Sequence, residues 1–302
     1  MTIEVISPPN GVTLLAQGRF QEALAPLRQD VALGDTGPST LLNLSIAEGR
    51  AGDPERARNL ARSVAVSLPD WDEPMLRLAE DLRAANELLA AEDAYQHVLE
   101  LNPDRPEALI ALGGLMLLRG DAEKACDVLV RGCGAAPDNP EAWNTFGLAL
   151  QALHAPRLAL AAFVTAQCLQ PGGLEYVLNG TNVAVAANAA DTELTRLLSL
   201  CEHNPLNPVI LLGYGMLLER VGRRAEAIDA LEAATELSPD ELIPLRLLGG
   251  ILARSTRTRQ AEKVLRRLNV LDPDNPQILN DLAAVLMRVH QHAEARALLR
   301  RG

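Results

Sequence analysis

Residues 140–171 read PEAWNTFGLALQALHAPRLALAAFVTAQCLQP. Trp143, Phe146, Gly147 and Leu150 stand at i, i+3, i+4 and i+7, the spacing of one apolar helix face. Ala159, Phe163 and Ala166 form a second such face, and Pro171 closes the stretch. Asn139 ahead of Pro140 supplies an N-cap followed by a residue suited to the first helical position. The stretch predicts two amphipathic helices joined by a short turn.

The same text recurs along the chain. Pro69, Pro103, Pro137, Pro171, Pro205, Pro239 and Pro273 are each 34 residues apart, and five of them precede Asp. A second ladder, Pro38, Pro106, Pro140, Pro208 and Pro276, keeps the same register, with Asn139, Asn207 and Asn275 directly before the proline. Units beginning near residues 4, 38, 72, 106, 140, 174, 208, 242 and 276 divide residues 1–302 into a single array of nine 34-residue repeats, the last one incomplete. Position 8 of a unit is small at Gly113, Gly147, Gly215 and Gly249. Position 20 is Ala at 57, 91, 125, 159, 227, 261 and 295. Small residues where two helices cross bring their axes together, so each unit predicts a close antiparallel pair.

The pattern Trp143, Phe146, Gly147, Leu150, Ala159, Phe163, Ala166 and Pro171 resembles the tetratricopeptide repeat. Leu109, Leu112, Gly113, Met116, Ala125, Leu129 and Pro137 repeat it, as do Leu211, Tyr214, Gly215, Leu218, Ala227, Leu231, Ala234 and Pro239. The resemblance implies an all-α, right-handed superhelical solenoid of antiparallel helix pairs, in which each pair buries its faces only against its neighbours. An interior of Ala and Leu fits that architecture, because aromatic residues make up only 3% of a chain that is 48% hydrophobic.

Composition narrows the functional classes. The net charge of −11 argues against nucleic-acid binding, which needs clustered cations. The charge is uneven: residues 242–302 carry 11 basic and 5 acidic side chains, and the rest carry 17 and 34. No stretch offers the roughly 20 apolar residues that a bilayer demands, so no membrane insertion is expected. Cys126, Cys133, Cys168 and Cys201 form no C-x-x-C pair and predict buried thiols in a reducing, cytoplasmic setting. His97, His154, His203, His290 and His292 are scattered, with no partners at ligand spacing. No Gly-rich phosphate loop is present, since Gly113-Gly114 and Gly249-Gly250 fall inside helices. The sequence predicts no catalytic residue, no metal and no cofactor.

A turn of 100° per residue places positions 2, 5, 6, 9, 12 and 13 of each first helix opposite the core face. The family resemblance implies that this side lines a concave, peptide-binding groove. Position 5 runs Leu42, Leu76, Ile110, Asn144, Leu178, Leu212, Arg246 and Asn280, with Asn179, Val209, Met216, Ile243 and Leu247 beside it. Gly114 and Gly250, at position 9, deepen the floor. Exposed apolar patches mark binding sites. The candidate site is therefore Ile110, Gly114, Asn144, Leu178, Asn179, Val209, Leu212, Met216, Ile243 and Arg246, receiving an apolar or amphipathic segment of a partner protein. The alternative is that position 5 packs on the adjoining repeat.

The pattern that clamps chaperone tails in this family is absent, with Asn43 and Arg77 matching isolated steps only. Asn43, Asn144, Asn179, Asn182 and Asn280 faintly resemble the asparagine-lined array of O-linked N-acetylglucosamine transferases and related bacterial protein glycosyltransferases. That likeness implies a second role, the substrate-recruiting arm of a larger protein-modifying enzyme. Between Ala142 and Ala190 only Arg157 and Glu175 are charged, which suits a homodimer contact through units five and six as well as internal packing.

Three departures stand out. Ser7-Pro8-Pro9 is expected to start the first helix of a shortened capping unit. Unit six has Thr181 and Glu193 where Gly or Ala and Ala are expected, which predicts either a looser, flexing pair or a tolerated degenerate repeat. Unit nine stops inside its second helix without a polar cap, as in a fragment or a docking end.

Overall fold

The computed structural model describes residues 10–301; the expected start at Ser7-Pro8-Pro9 lies outside them. Among the described residues the fold is all helical, with eighteen consecutive helices packed pairwise as in a tetratricopeptide solenoid. The chain divides into two compact units, one running to Pro137 and the other from Asp138.

The first unit contains α1 (Gly11–Ala16), α2 (Phe20–Ala32), α3 (Pro38–Ala51), α4 (Pro54–Ser67), α5 (Asp72–Ala84), α6 (Leu88–Leu101), α7 (Pro106–Leu118) and α8 (Ala122–Ala135). The second contains α9 (Pro140–Ala152), α10 (Pro156–Leu169), α11 (Leu174–Ala184), α12 (Ala190–His203), α13 (Pro208–Arg220), α14 (Arg224–Leu237), α15 (Leu242–Ala253), α16 (Thr258–Leu271), α17 (Pro276–Arg288) and α18 (His292–Leu299). From α3 onward, every first helix starts at the residue where the 34-residue register puts it.

The local causes are visible. The Asn139 side chain accepts the Glu141 N–H, Asn207 accepts those of Val209 and Ile210, and Asn275 accepts that of Gln277. Each thereby satisfies orphan donors at a helix start. All seven position-20 alanines are fully buried. A methyl on Gly147 would lie 2.5–2.9 Å from the Phe163 ring, so the close α9–α10 crossing depends on glycine. Gly215 stands in the same relation to Leu231.

The sixth pair departs from this plan. Among the nine pairs of the described residues, α11 and α12 pack least closely, and α11 leans instead on α10 and α13. The crossing residues Thr181 and Glu193 are both buried and both larger than Gly and Ala. The Glu193 carboxylate is held by Arg196, whose Nε donates at 2.8 Å and which also donates to Gln167 of α10. Helix α11 ends at Ala184, and residues 185–188 form a turn in which Asn188 takes φ 55°. The bulky crossing explains the looser packing.

In the first unit, the fully buried Glu48 receives Arg28 Nη2 at 2.8 Å and the Asp53 N–H at 3.1 Å. These hydrogen bonds, with Arg56 close by, hold its carboxyl below the usual range. Asp81 moves the other way, because burial outweighs the attraction of Arg77 in its own helix.

Candidate polypeptide groove

The second unit carries a pocket of about 460 Å³ on the side formed by its first helices. Helix α11 packs on α13 and α15 on α17, whereas α13 and α15 stand further apart, and the pocket opens between these two couples. Its walls are Leu178 and Asn182 from α11, Met216 and Glu219 from α13, Ile243, Arg246, Leu247 and Gly250 from α15, and Gln277 and Asp281 from α17. Its floor is apolar: Ile251, Leu265, Leu268 and Ile278, all buried. The size falls within the range of pockets that enclose ligands.

Glycine makes the opening. A Cβ built on Gly250 meets nothing within 4 Å, so the absent side chain leaves open space above the floor. Its neighbour Gly249 has the opposite role, for a Cβ there would meet Leu268 Cδ1 at 3.0 Å and Leu265 Cδ2 at 3.1 Å. One glycine lets α15 close on α16, and the next keeps the slot clear.

Charges at the rim are mostly spoken for. Arg254 of the α15 end lies 3.6 Å from Glu219 of α13. Asp281 accepts a hydrogen bond from Gln277 Nε2 at 3.1 Å, and Asn182 accepts one from Arg220. Arg288 of α17 donates to the carbonyls of Ala253 and Ser255, tying α17 to the C-terminal end of α15. Behind the floor, Arg266 is held above the usual guanidinium range by hydrogen bonds to Glu294 and Glu262. Arg246 is exposed and makes no ion pair or hydrogen bond among the described residues.

Of the sequence-predicted residues, Leu178, Met216, Ile243 and Arg246 come together in this pocket. Val209 is half-buried outside the lining, and Leu212 is buried, with 3% of its surface exposed. Helix α13 packs against α11, α12 and α14. Asn144 is also buried, and its carbonyl accepts the Asn179 amide at 2.8 Å, so this pair links α9 to α11 rather than facing outward. In the first unit, Ile110 is buried over Gly132 of α8, where a Cβ would stand 3.5 Å from its Cγ1. Gly114, like Gly250, faces open space. Position 5 is thus a packing position at Leu42, Leu76, Ile110, Asn144 and Leu212, and a groove position at Leu178 and Arg246.

Asn182, Glu219, Leu247, Gly250, Arg254, Gln277 and Asp281 also form the walls, and all occupy positions 2, 6, 9, 12 or 13, the outward set of the helical wheel. Of the floor residues, Leu265 and Leu268 belong to the core pattern, while Ile251 and Ile278, at positions 10 and 3, belong to neither the core set nor the outward set.

Among the described residues, no group of three or more His, Cys, Asp or Glu side chains is placed to hold a metal ion. Of the four cysteines expected to be buried, Cys133 is, Cys126 and Cys201 are part-buried and Cys168 is exposed; burial pushes the thiols of Cys133 and Cys201 up to about 11, which keeps them protonated at neutral pH. Among the described residues, no helix is long and apolar enough to cross a membrane.

Residues 38–63, 82–153 and 210–241 each match a family model described as tetratricopeptide repeat. With the 34-residue register of the helices, these matches make the chain a tetratricopeptide repeat protein. A repeat protein from Parabacteroides merdae is 17% identical, with 82% of this chain and 98% of that one aligned at a TM-score of 0.58. Yeast Tom70 is 13% identical over 95% of this chain and 89% of its own, with a TM-score of 0.52. YrrB, described as a repeat protein with an unusual peptide-binding site, is 21% identical over 62% of this chain and 96% of its own, at 0.47. At these identities the likeness is one of fold. No curated protein matches. Repeats of this family are protein-interaction scaffolds, and the chain belongs to that class.

Proposed function

We propose that the chain binds a segment of a partner polypeptide in the pocket bounded by α11, α13, α15 and α17, and acts as a scaffold or adaptor. The observation that carries this reading is the pocket itself: an apolar floor, aliphatic walls that reach solvent at Ile243, and a glycine that leaves room above the floor. The part-exposed apolar walls Leu178, Met216, Ile243 and Leu247 gain free energy when a ligand side chain covers them, at about 25 cal/mol per Å². Polar groups around it orient the ligand.

Comparative capture tests the proposal. The wild-type chain and the double variant Met216→Gln, Ile243→Gln are immobilised side by side and exposed to one cell extract, with bound proteins quantified by mass spectrometry. Both positions lie on the pocket wall, so the expected result is a set of partners retained by the wild type and depleted at least tenfold on the variant. Identical capture by both would contradict the assignment.

A further inference from the structure

The turn that joins α17 to α18 gathers three soft donors. Met287 stands in the last turn of α17, His290 in the connection, and His292 opens α18, all three exposed. The Nδ1 atom of His292 lies 3.3 Å from the Met287 sulfur, and the His290 and His292 rings meet edge to face with centres 5.8 Å apart. The backbone beneath them is fixed. The Gln291 N–H donates to the Leu286 carbonyl at 2.9 Å, and the His290 N–H to that of Met287 at 3.2 Å. His290 holds φ 63°, a conformation that Gly120 and Gly222 take at the same place in their repeats and that is uncommon for a residue with a side chain. His154 also fills this place, yet it has Gln151 and Pro156 where the ninth repeat has Met287 and His292. Three donors meet in the ninth turn and not in the fifth.

We infer that Met287, His290 and His292 bind a monovalent copper ion, Cu(I). First-row ions with a filled d shell hold imidazole nitrogen at about 2.0 Å and sulfur at about 2.3 Å, which sets such donors roughly 3.5 Å apart in a tetrahedron. Two imidazoles that share such an ion have ring centres roughly 5–6 Å apart. The separations of 3.3 and 5.8 Å in the turn agree with both values. A thioether beside imidazoles selects the softer ion, copper in its lower oxidation state. The surrounding charge points the same way. Glu294 and Glu262, the carboxylates nearest the turn, both accept hydrogen bonds from Arg266. Arg288 and Arg296 flank the donors, Arg288 donating to the carbonyls of Ala253 and Ser255. Neutral donors between two guanidinium groups repel a divalent ion more than a monovalent one. Because Met287 belongs to α17 and His292 to α18, the bound ion ties the two helices of the ninth pair together. The site shares no residue with the groove and stands independently of it.

Cu(I), kept reduced with ascorbate under nitrogen, is titrated into the full-length chain carrying Cys168→Ser, which removes the exposed thiol. NMR follows the Met287 ε-methyl and the Cε1–H protons of His290 and His292, so copper taken up by the remaining thiols is read separately. The expected result is a saturable shift of all three signals while that of His154 stays in place. The bicinchoninate concentration that reverses the shifts measures affinity at this turn alone. Met287→Leu and His290→Asn should each weaken binding about tenfold or more. Asn86 and Asn188 hold the same backbone conformation, so His290→Asn preserves the turn. Zn(II) should bind about tenfold or more weakly than Cu(I). Signals that do not move with Cu(I) in excess, or an affinity that either variant leaves unchanged, would overturn the three-donor site. Zn(II) binding as tight as that of Cu(I) would overturn the choice of a monovalent ion.

Discussion

Helices α7 and α15 present nearly the same inward face and opposite outward ones. Leu109, Leu112, Gly113 and Gly114 of the first correspond to Leu245, Leu248, Gly249 and Gly250 of the second. At position 5, however, α7 has Ile110 and α15 has Arg246, and at position 27 of the partner helix α8 has Gly132 where α16 has Leu268. The missing side chain at Gly132 lets Ile110 fold down over α8, where it is 7% exposed. Leu268 fills the equivalent place, becomes pocket floor, and Arg246 remains in solvent. The core pattern makes both repeats; what distinguishes them is position 5, buried at Ile110 and exposed at Arg246, together with the change from Gly132 to Leu268 at position 27.

Exchanging the position-5 residues should give the largest asymmetry. Ile110→Arg forces a guanidinium into a packed site without a partner and is expected to cost about 2–3 kcal/mol in denaturant unfolding. Arg246→Ile acts at an exposed site and should change stability by no more than about 0.5 kcal/mol. Equal costs would break the distinction between a sealed and an open position 5.

The paired glycines sharpen it on a smaller scale. A Cβ on Gly114 or on Gly250 meets nothing within 4 Å, and both residues are inside helices. Gly114→Ala and Gly250→Ala should each stabilise the chain by about 0.5–1 kcal/mol, the helix-propensity gain alone, seen as a raised unfolding midpoint. Destabilisation by either would show that its helix face is covered.

Much of this was legible in the residues. The proline ladders and small crossing positions fixed the helix starts from Pro38 onward, and the departures Thr181 and Glu193 marked the one pair whose helices pack poorly. The helical wheel found the pocket walls at Met216, Ile243, Arg246 and Gly250. It misplaced Ile110, Asn144 and Leu212 because a wheel assigns each helix one buried side, while Ile110 has a glycine beneath it, Asn144 bonds Asn179 of the next repeat, and Leu212 is buried on a helix packed by α11, α12 and α14. The floor was hidden for the converse reason: Leu265 and Leu268 are core residues by pattern, and nothing in that pattern marks them as the bottom of a pocket.

Methyl-labelled NMR titration tests the groove most directly. With Ile, Leu and Met methyls labelled in the full chain, a peptide selected for tightest binding to the wild type is added in steps. The account predicts the largest shift changes at Ile243, Leu247, Met216 and Ile278, with the Ile110 methyl unmoved. Shifts centred on α7, or spread without focus while these four stay still, would contradict it.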